Sequence, residues 1–389
     1  MVTLNSAEEA LKTLYLGVVS EQLNTTTNPL YNAIEKTSSD VWGKEIVKLV
    51  PFGLNGGVSA GDEDGDLPQP AGNNYERFTL ELKNLFGKIS ISDKAMRASS
   101  NSSGAFVNLL NAEMEGLLRA SKFNFGRMLY GDGTGKLATA VTWTENTNPN
   151  KFKVDSVRNL MEGMVIDVYS SGNATARARR IIQIDRDENI VTIDGIAGAN
   201  NLLGAGDYVT VQNSLGKELT GLGAIFASSG RLYGLDKSNY SWLNPYHKNL
   251  SGTFSVTDVQ EAIDRVEERA GSSINFIVAS ADARRAYVNE LMAERVNIDY
   301  MNLDGGFKAV SYNGIPVVAD RFVPEGTMYM LDTKDFKLHQ LCDWKWLEGA
   351  EGRILQQDAN KATYTATLVK YADLICDRPF GQACITGIK

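Results

Sequence analysis

Three groups of residues in this chain have types and spacings that could do chemistry. The first is GDGTGK at 131–136, which invites a phosphate-binding loop. Such a loop needs glycine five positions before the Gly-Lys pair, a hydroxyl after the lysine, and a helix opening on it. Here Tyr130 and Leu137 hold those two positions, and the apolar pattern ahead makes the run a helix end. The second group is Asp62, Asp64 and Asp66, which match the first three ligand positions of a calcium loop. Leu67 and Asn73 then stand where the loop requires Gly and a bidentate Glu. The better reading is a solvated acidic tip able to pair with basic residues of a neighbour. The third group is the two histidines, His247 and His339. Neither sits in a Ser-His-Asp or Cys-His arrangement, no GxSxG occurs, and no carboxylate pair stands out for acid–base work. His339 reads as lying on a strand face. Cys342, Cys376 and Cys384 are odd in number and lack metal-ligand spacing, so they read as reduced thiols of a cytosolic product. Trp344 and Trp346, two apart, share a strand face and read as core or contact surface rather than a ligand cage. No catalytic, cofactor-binding or metal residue is assigned.

The element ahead of GDGTGK is a long helix over 105–130. Phe106, Val107, Leu110, Met114, Leu117, Leu118, Phe125, Met128 and Leu129 recur at steps of three and four. Ser102 or Ser103 can cap its start, and Gly131, Gly133 and Gly135 end it. Before it, 41–52 and 75–91 read as strands, with Phe78, Leu80 and Leu82 alternating with Thr79, Glu81 and Lys83. Between them, 53–74 is a Gly- and Asp-rich loop too long for the inside of a compact domain. A two-stranded arm is marginal alone in water, so it should rest on something else, with a neighbouring subunit the natural candidate.

Residues 1–40 open with a short amphipathic helix striped by Leu11, Leu14, Tyr15, Val18 and Val19, followed by a polar run with Pro29 as breaker. From 137 to 217 the chain changes to short β segments (164–169, 179–186, 189–195, 207–213) between turns, a small sandwich or barrel. It sits between two Gly-rich signals, at 131–135 and 221–223, so it reads as an insertion. Arg177, Arg179 and Arg180, without interleaved aromatics, read as a solvated strand edge. Over 219–345 the pattern is α/β. Thr257 and Gln260 suggest a capping box; Val259, Ile263 and Val266 a core stripe; Gly271 a stop. A buried strand at 274–280 precedes a helix at 281–295, and Asn313-Gly314 marks a hairpin. The tail holds a long strand at 362–376 that should return to an earlier sheet.

A chain of 389 residues has room for two or three domains. Its 43% hydrophobic and 22% charged residues are ordinary for a globular protein. No stretch approaches the length of a membrane span, and the polar, acidic opening MVTLNSAEEALKTLYLG gives no expectation of a secretory leader. A net charge of −8 argues against a dedicated nucleic-acid binder.

The order of these parts resembles the major capsid protein of tailed bacteriophages, the HK97-like fold also used by encapsulin shells. The hairpin 41–92 resembles the extended loop (E-loop) and helix 105–130 the spine helix. LYGDGTGK (129–136), resumed at LTGLGAIF (219–226), is similar to the helix-exit turn and the Gly-Ile/Leu step after it. SINFIVASADARRAYVNEL (273–291) resembles the strand–helix of the axial (A) domain, and YNGIPVVADRFVPEGTMYMLD (312–332) its most specific run. The tail 362–388 resembles the returning strand of the peripheral (P) domain. The chain departs from the simplest pattern in its 137–218 insertion, which suggests a domain that braces the shell or displays on its surface. It also lacks a long coiled coil before the arm, so scaffolding would come from a separate protein or from a segment removed before this numbering begins.

The resemblance implies an α+β fold in six parts. These are an N-terminal arm (1–40), an E-loop hairpin (41–92), a spine helix with the first part of the P domain (93–136), an inserted β-rich domain (137–218), an A domain (219–345) and returning P-domain strands (346–389). It implies a structural head protein, not an enzyme, that self-assembles into hexamers and pentamers of an icosahedral shell enclosing double-stranded DNA. No cofactor and no membrane are implied. Implied partners are other copies, a scaffolding protein, a portal and a decoration protein; the implied location is the virion, assembled in the host cytoplasm. Candidate intersubunit contacts are Asp62, Glu63, Asp64, Asp66 and Arg77 at the loop tip, and Asn313, Gly314, Trp344 and Trp346 in the axial domain. The alternatives are an encapsulin-like compartment with protein cargo, an α/β hydrolase or phosphotransferase, and a β-rich tail or adhesin subunit.

Overall fold

The computed structural model describes residues 28–39, 41–42, 45–95, 103–143, 148, 150–170, 172–195, 203–250, 253–293, 300–302, 308–349, 352 and 354–389; for 42, 103–112, 300, 302 and 308 it describes the backbone only. The expected N-terminal amphipathic stripe and the capping Ser102 lie outside these residues. Pro29 does not break a helix but starts one: Pro29–Ala33 begins with proline at its first turn, and the Asn28 side chain accepts from Tyr31 N–H.

The long helix is Ser103–Tyr130, 28 residues, or about 42 Å. Met114, Leu118, Phe125 and Leu129 enter the main core. Beneath the helix lies a five-stranded sheet built on Thr363–Cys376. One edge of that strand pairs with Lys83–Ser92; the other pairs with Phe336–Trp346 and Gln356–Gln357, and Glu35–Thr37 adds in parallel beyond Phe336–Trp346. Leu85, Gly87, Ile89 and Ile91 alternate toward the helix. Leu117 lies over Gly87, where an added Cβ would stand 2.9 Å from its Cδ1.

A second, seven-stranded sheet is ordered Tyr246–Asn249, Ala383–Thr386, Met328–Leu331, Phe276–Ala279, Ile315–Ala319, Lys308–Tyr312, Tyr300–Asn302. Its central strand Phe276–Ala279 is buried on both faces, which is why it reads as an unbroken apolar run. Ile277 and Ala279 pack with helices Val256–Ala270 and Ala281–Ala293, while Phe276 and Val278 join the main core. Asn313 and Gly314, at φ 47° and 82°, make the two-residue hairpin turn that needs positive φ twice.

The third unit is a closed barrel. Its strands run in the order Lys136–Thr139, Tyr208–Val211, Val165–Ser170, Asn173–Asp185, Ile190–Ile193, Lys151–Lys153. The two end strands meet through an Ala140–Val154 bridge, Val141 N–H to Lys153 O (3.0 Å) and Asp155 N–H to Thr139 O (2.9 Å). Closure removes the edges, and Ile166, Val168, Ile181, Val191 and Val209 fill the interior.

Several expectations need correction. The segment 41–52 is two strands, Val41–Trp42 folding back on Glu45–Phe52. The segment 75–91 is also two: Asn74–Glu81 pairs with Glu45–Phe52, and after Leu82 the strand Lys83–Ser92 enters the five-stranded sheet. The helix cap is Ser255 with Asp258, not Thr257 with Gln260. The arginine strand is no edge: Asn173–Asp185 lies between two others, so Arg177 and Arg180 stand on its exposed face, while Arg179 is half-buried opposite Ile166. The expected boundary at 345/346 is crossed both ways. Phe336–Trp346 belongs to the sheet under the long helix, and Ala383–Thr386 to the seven-stranded one.

Candidate assembly surface

The arm is the hairpin of Glu45–Phe52 and Asn74–Glu81, with 53–74 at its tip. Strand alternation gives it two faces. The inner face carries Ile46, Val50, Phe78 and Leu80, all buried. It rests on the chain's own 229–244 segment. Phe52 stacks on Trp242 (centroids 5.3 Å apart, planes 7° apart), and Phe78 packs on Tyr233 at 4.9 Å. Thr79 N–H donates to Tyr233 O at 3.0 Å, and Tyr240 Oη to Glu76 Oε1 at 3.1 Å. Lys48 Nζ reaches both oxygens of Asp377 at 2.7 Å, in a half-buried ion pair. The support expected of a neighbour is thus supplied at the root by this chain.

The outer face is different. Val47 opposes Thr79, Leu49 opposes Arg77 and Pro51 opposes Tyr75, and Leu49 and Tyr75 are 66% and 55% exposed. At the tip Leu54, Val58 and Leu67 are at least 86% exposed, alongside the exposed Asp62, Glu63, Asp64 and Asp66. Exposed apolar side chains thus run along this face and on into the tip. Of the other expected contact residues, Asn313 and Gly314 are exposed at their hairpin turn. Trp344 and Trp346 are not contacts: both are buried in the main core, Trp344 edge-on to Phe125 at 6.5 Å. The reason is their strand, which lies under the long helix rather than in the axial-type sheet.

Buried polar joints hold the three units together, and none left a local sequence signal. Arg127, in the last turn of the long helix, meets Glu218 in a two-pronged bond, Nη1–Oε2 2.7 Å and Nη2–Oε1 2.6 Å. Asp373 accepts from Thr220 N–H (2.7 Å) and Thr220 Oγ1 (3.0 Å); burial pushes its carboxyl up to about 6. Tyr130 Oη donates to Asp320 at 3.0 Å, and Arg158 of the barrel to Val323 O at 3.0 Å. Lys237 caps a helix end from within. Its Nζ donates to the carbonyls of Ala224, Ile225 and Ala227, and burial lowers it to about 8. Gly131 and Gly221 touch: an added Cβ at Gly221 would stand 2.3 Å from Met128 O and 2.6 Å from Gly131 O. The chain leaves the helix for the barrel and returns to the same point.

A cleft of about 820 Å³ lies between the strand after the arm, the long helix and the segment 211–218 that leaves the barrel, lined by Leu82, Phe86, Leu117, Asn124, Gln212 and Glu218 among others. Its buried carboxylate, Glu218, is held by Arg127. Among the described residues no group of three His, Cys, Asp or Glu is placed to hold a metal, and no helix is long and apolar enough to cross a membrane.

No family model matches this sequence, and no curated protein matches it. Solved structures do. The chain is similar to one in the capsid asymmetric unit of cyanophage A-1(L), at TM-score 0.52 and 12% identity over 97% of this chain and 93% of that one. It also matches the SrpI encapsulin of Synechococcus elongatus (TM-score 0.44, 11% identity, 96% and 95% covered) and the capsid of Myoviridae phage XM1 (0.45, 9%, 94% and 92%). The fold is that of a phage capsid protein, the HK97-like fold, as the order of motifs implied.

Proposed function

We propose that this chain is the wall subunit of an icosahedral phage head, forming hexamers and pentamers that close around double-stranded DNA. The observation that carries the reading is the arm. Its root is locked to its own subunit, while its outer face and tip remain apolar and uncovered. A shell needs heterologous contacts whose rotation closes, each burying roughly 800 Å² per partner. An arm fixed at one end and free at the other supplies such a contact, and several per capsomer act together.

In this reading the long helix and five-stranded sheet form the peripheral domain, and the seven-stranded module the axial domain. The Asn313-Gly314 turn lies at an axial contact, and the barrel braces or decorates the wall. Asp62, Glu63, Asp64, Asp66 and Arg77 belong to contacts between subunits. The function is assembly rather than catalysis. DNA is held by enclosure, which suits a net charge of −8. A scaffolding protein, a portal and a decoration protein complete the partners, and assembly takes place in the host cytoplasm before the chain is found in the virion.

Deletion of 53–74 tests this. The shortened chain should stay folded and form no closed shells. Full-size particles from the deletion would remove the arm from the account.

A further inference from the structure

We infer that the acidic arm tip of one copy docks on the arginine strand of the barrel of a neighbouring copy; the inference rests on the shell reading above. The strand Asn173–Asp185 presents Arg177 and Arg180 to solvent, with Arg179 half-buried between them. Among the described residues none of the three makes an ion pair, and Arg179 Nε has no hydrogen-bond partner. Three of the barrel's own carboxylates are occupied. Asp167 accepts from the backbone of Ala178 and Asn213, Asp194 from Arg180 N–H, and Glu162 from Arg186. Ile182, 58% exposed, adds an apolar spot to the same strand.

The tip is the complement. Residues 53–74 hold Asp62, Glu63, Asp64 and Asp66 and not one lysine or arginine. Among the described residues these four carboxylates make no ion pair. Leu54, Val58 and Leu67 stand exposed beside them. Each surface therefore joins unpaired charge of one sign to exposed apolar side chains, and within one copy the two do not meet. Eight-residue strands carry the tip about 26 Å from the arm's root, far enough to reach another subunit. Nucleic acid could also take the arginines. The apolar component on both sides favours a protein contact, and every copy supplies one tip for one strand. Such a pairing would fix register and speed encounter.

The test is charge reversal in the full chain, read by sedimentation velocity and negative-stain microscopy, with circular dichroism to verify folding. One variant carries Arg177→Glu, Arg179→Glu and Arg180→Glu. The other carries Asp62→Lys, Glu63→Lys, Asp64→Lys and Asp66→Lys. Each alone should lower the fraction of subunits in closed particles by about tenfold or more, and their combination should restore it. Unchanged yields in both would overturn this contact while leaving the shell reading intact. A parent chain that makes no rings or shells would overturn the shell reading itself. Normal particles that lose only their DNA in the arginine variant would assign the strip to nucleic acid and also overturn the contact. Should the arginine variant misfold, Arg177→Lys with Arg180→Lys provides the second arm. In assembled particles, carbodiimide should then join these lysines to tip carboxylates as amides with loss of water, giving an inter-copy peptide by mass spectrometry. Its absence would overturn the proposal.

Discussion

Arg127 and Glu218 lie 91 residues apart and face each other through two parallel bonds of 2.6–2.7 Å, both side chains at most 4% exposed. The pair clamps the end of the long helix to the segment that returns from the barrel. Removing one partner of such a pair strands a buried charge, at a cost of about 3–5 kcal/mol, whereas replacing both by apolar groups costs far less. Arg127→Met should therefore destabilise strongly in denaturant titration, and Arg127→Met with Glu218→Met should recover most of the loss. A double variant as unstable as the single one would mean that the bond does not set this joint.

Gly221 is the tightest point of the same joint. An alanine there places its Cβ 2.3 Å from Met128 O, 2.6 Å from Gly131 O and 2.7 Å from Leu129 O, all backbone atoms that cannot yield separately. Gly221→Ala should leave little soluble folded protein. Gly116, on the exposed face of the helix with nothing within 4 Å of an added Cβ, is the control. Gly116→Ala should be neutral or stabilising by up to about 1 kcal/mol.

Asp373 gives the stability a pH dependence of definite sign. Its folded carboxyl is raised from 3.8 to about 6, burial being the main cause, with Lys83 and the Thr220 and Leu374 amides opposing it. The folded state thus binds the proton more tightly than the unfolded chain. The stability this confers is fully present below pH 3.8 and is lost as pH rises through about 6. Burial raises Asp320 and Asp335 as well, which adds in the same direction. A rise of this size corresponds to about 3 kcal/mol. Asp373→Asn should match the parent near pH 4 and become progressively more stable than it toward pH 7. A gap that shrinks with rising pH would contradict the assignment.

The outer arm face should matter to assembly and not to folding. Leu49→Ser with Tyr75→Ser changes exposed side chains, so subunit stability should move by less than about 1 kcal/mol. Particle yield, in contrast, should fall sharply by sedimentation. Equal yields from parent and variant would show that this face stays in solvent.

The sequence made legible whatever depends on short-range pattern. The long helix followed from its stripe, the Asn313-Gly314 hairpin from two residues that accept positive φ, and the strand Phe276–Ala279 from its apolar run. The break at Leu82 carries no glycine or proline; its one trace is a change of phase, from Phe78, Leu80 and Leu82 at even positions to Leu85, Ile89 and Ile91 at odd ones, where the strand changes sheets. The cap at Ser255 is ambiguous in sequence because Ser255–Asp258 and Thr257–Gln260 both fit a capping box two residues apart. The unit that holds Trp344 and Trp346 is not legible locally, because their sheet partner, Thr363–Cys376, follows them in the chain. Buried joints such as Arg127–Glu218 and Lys237 with its three carbonyls have no local pattern to show. Their partners are set by tertiary approach alone.

The central claim is that this chain builds a wall. The most direct measurement is negative-stain electron microscopy of the full chain expressed alone, with sedimentation velocity on the same sample. The account predicts capsomer rings, tubes or uniform shells, with nucleic acid rather than protein cargo inside closed particles. A monodisperse monomer without rings, even with a co-expressed scaffold, would contradict it.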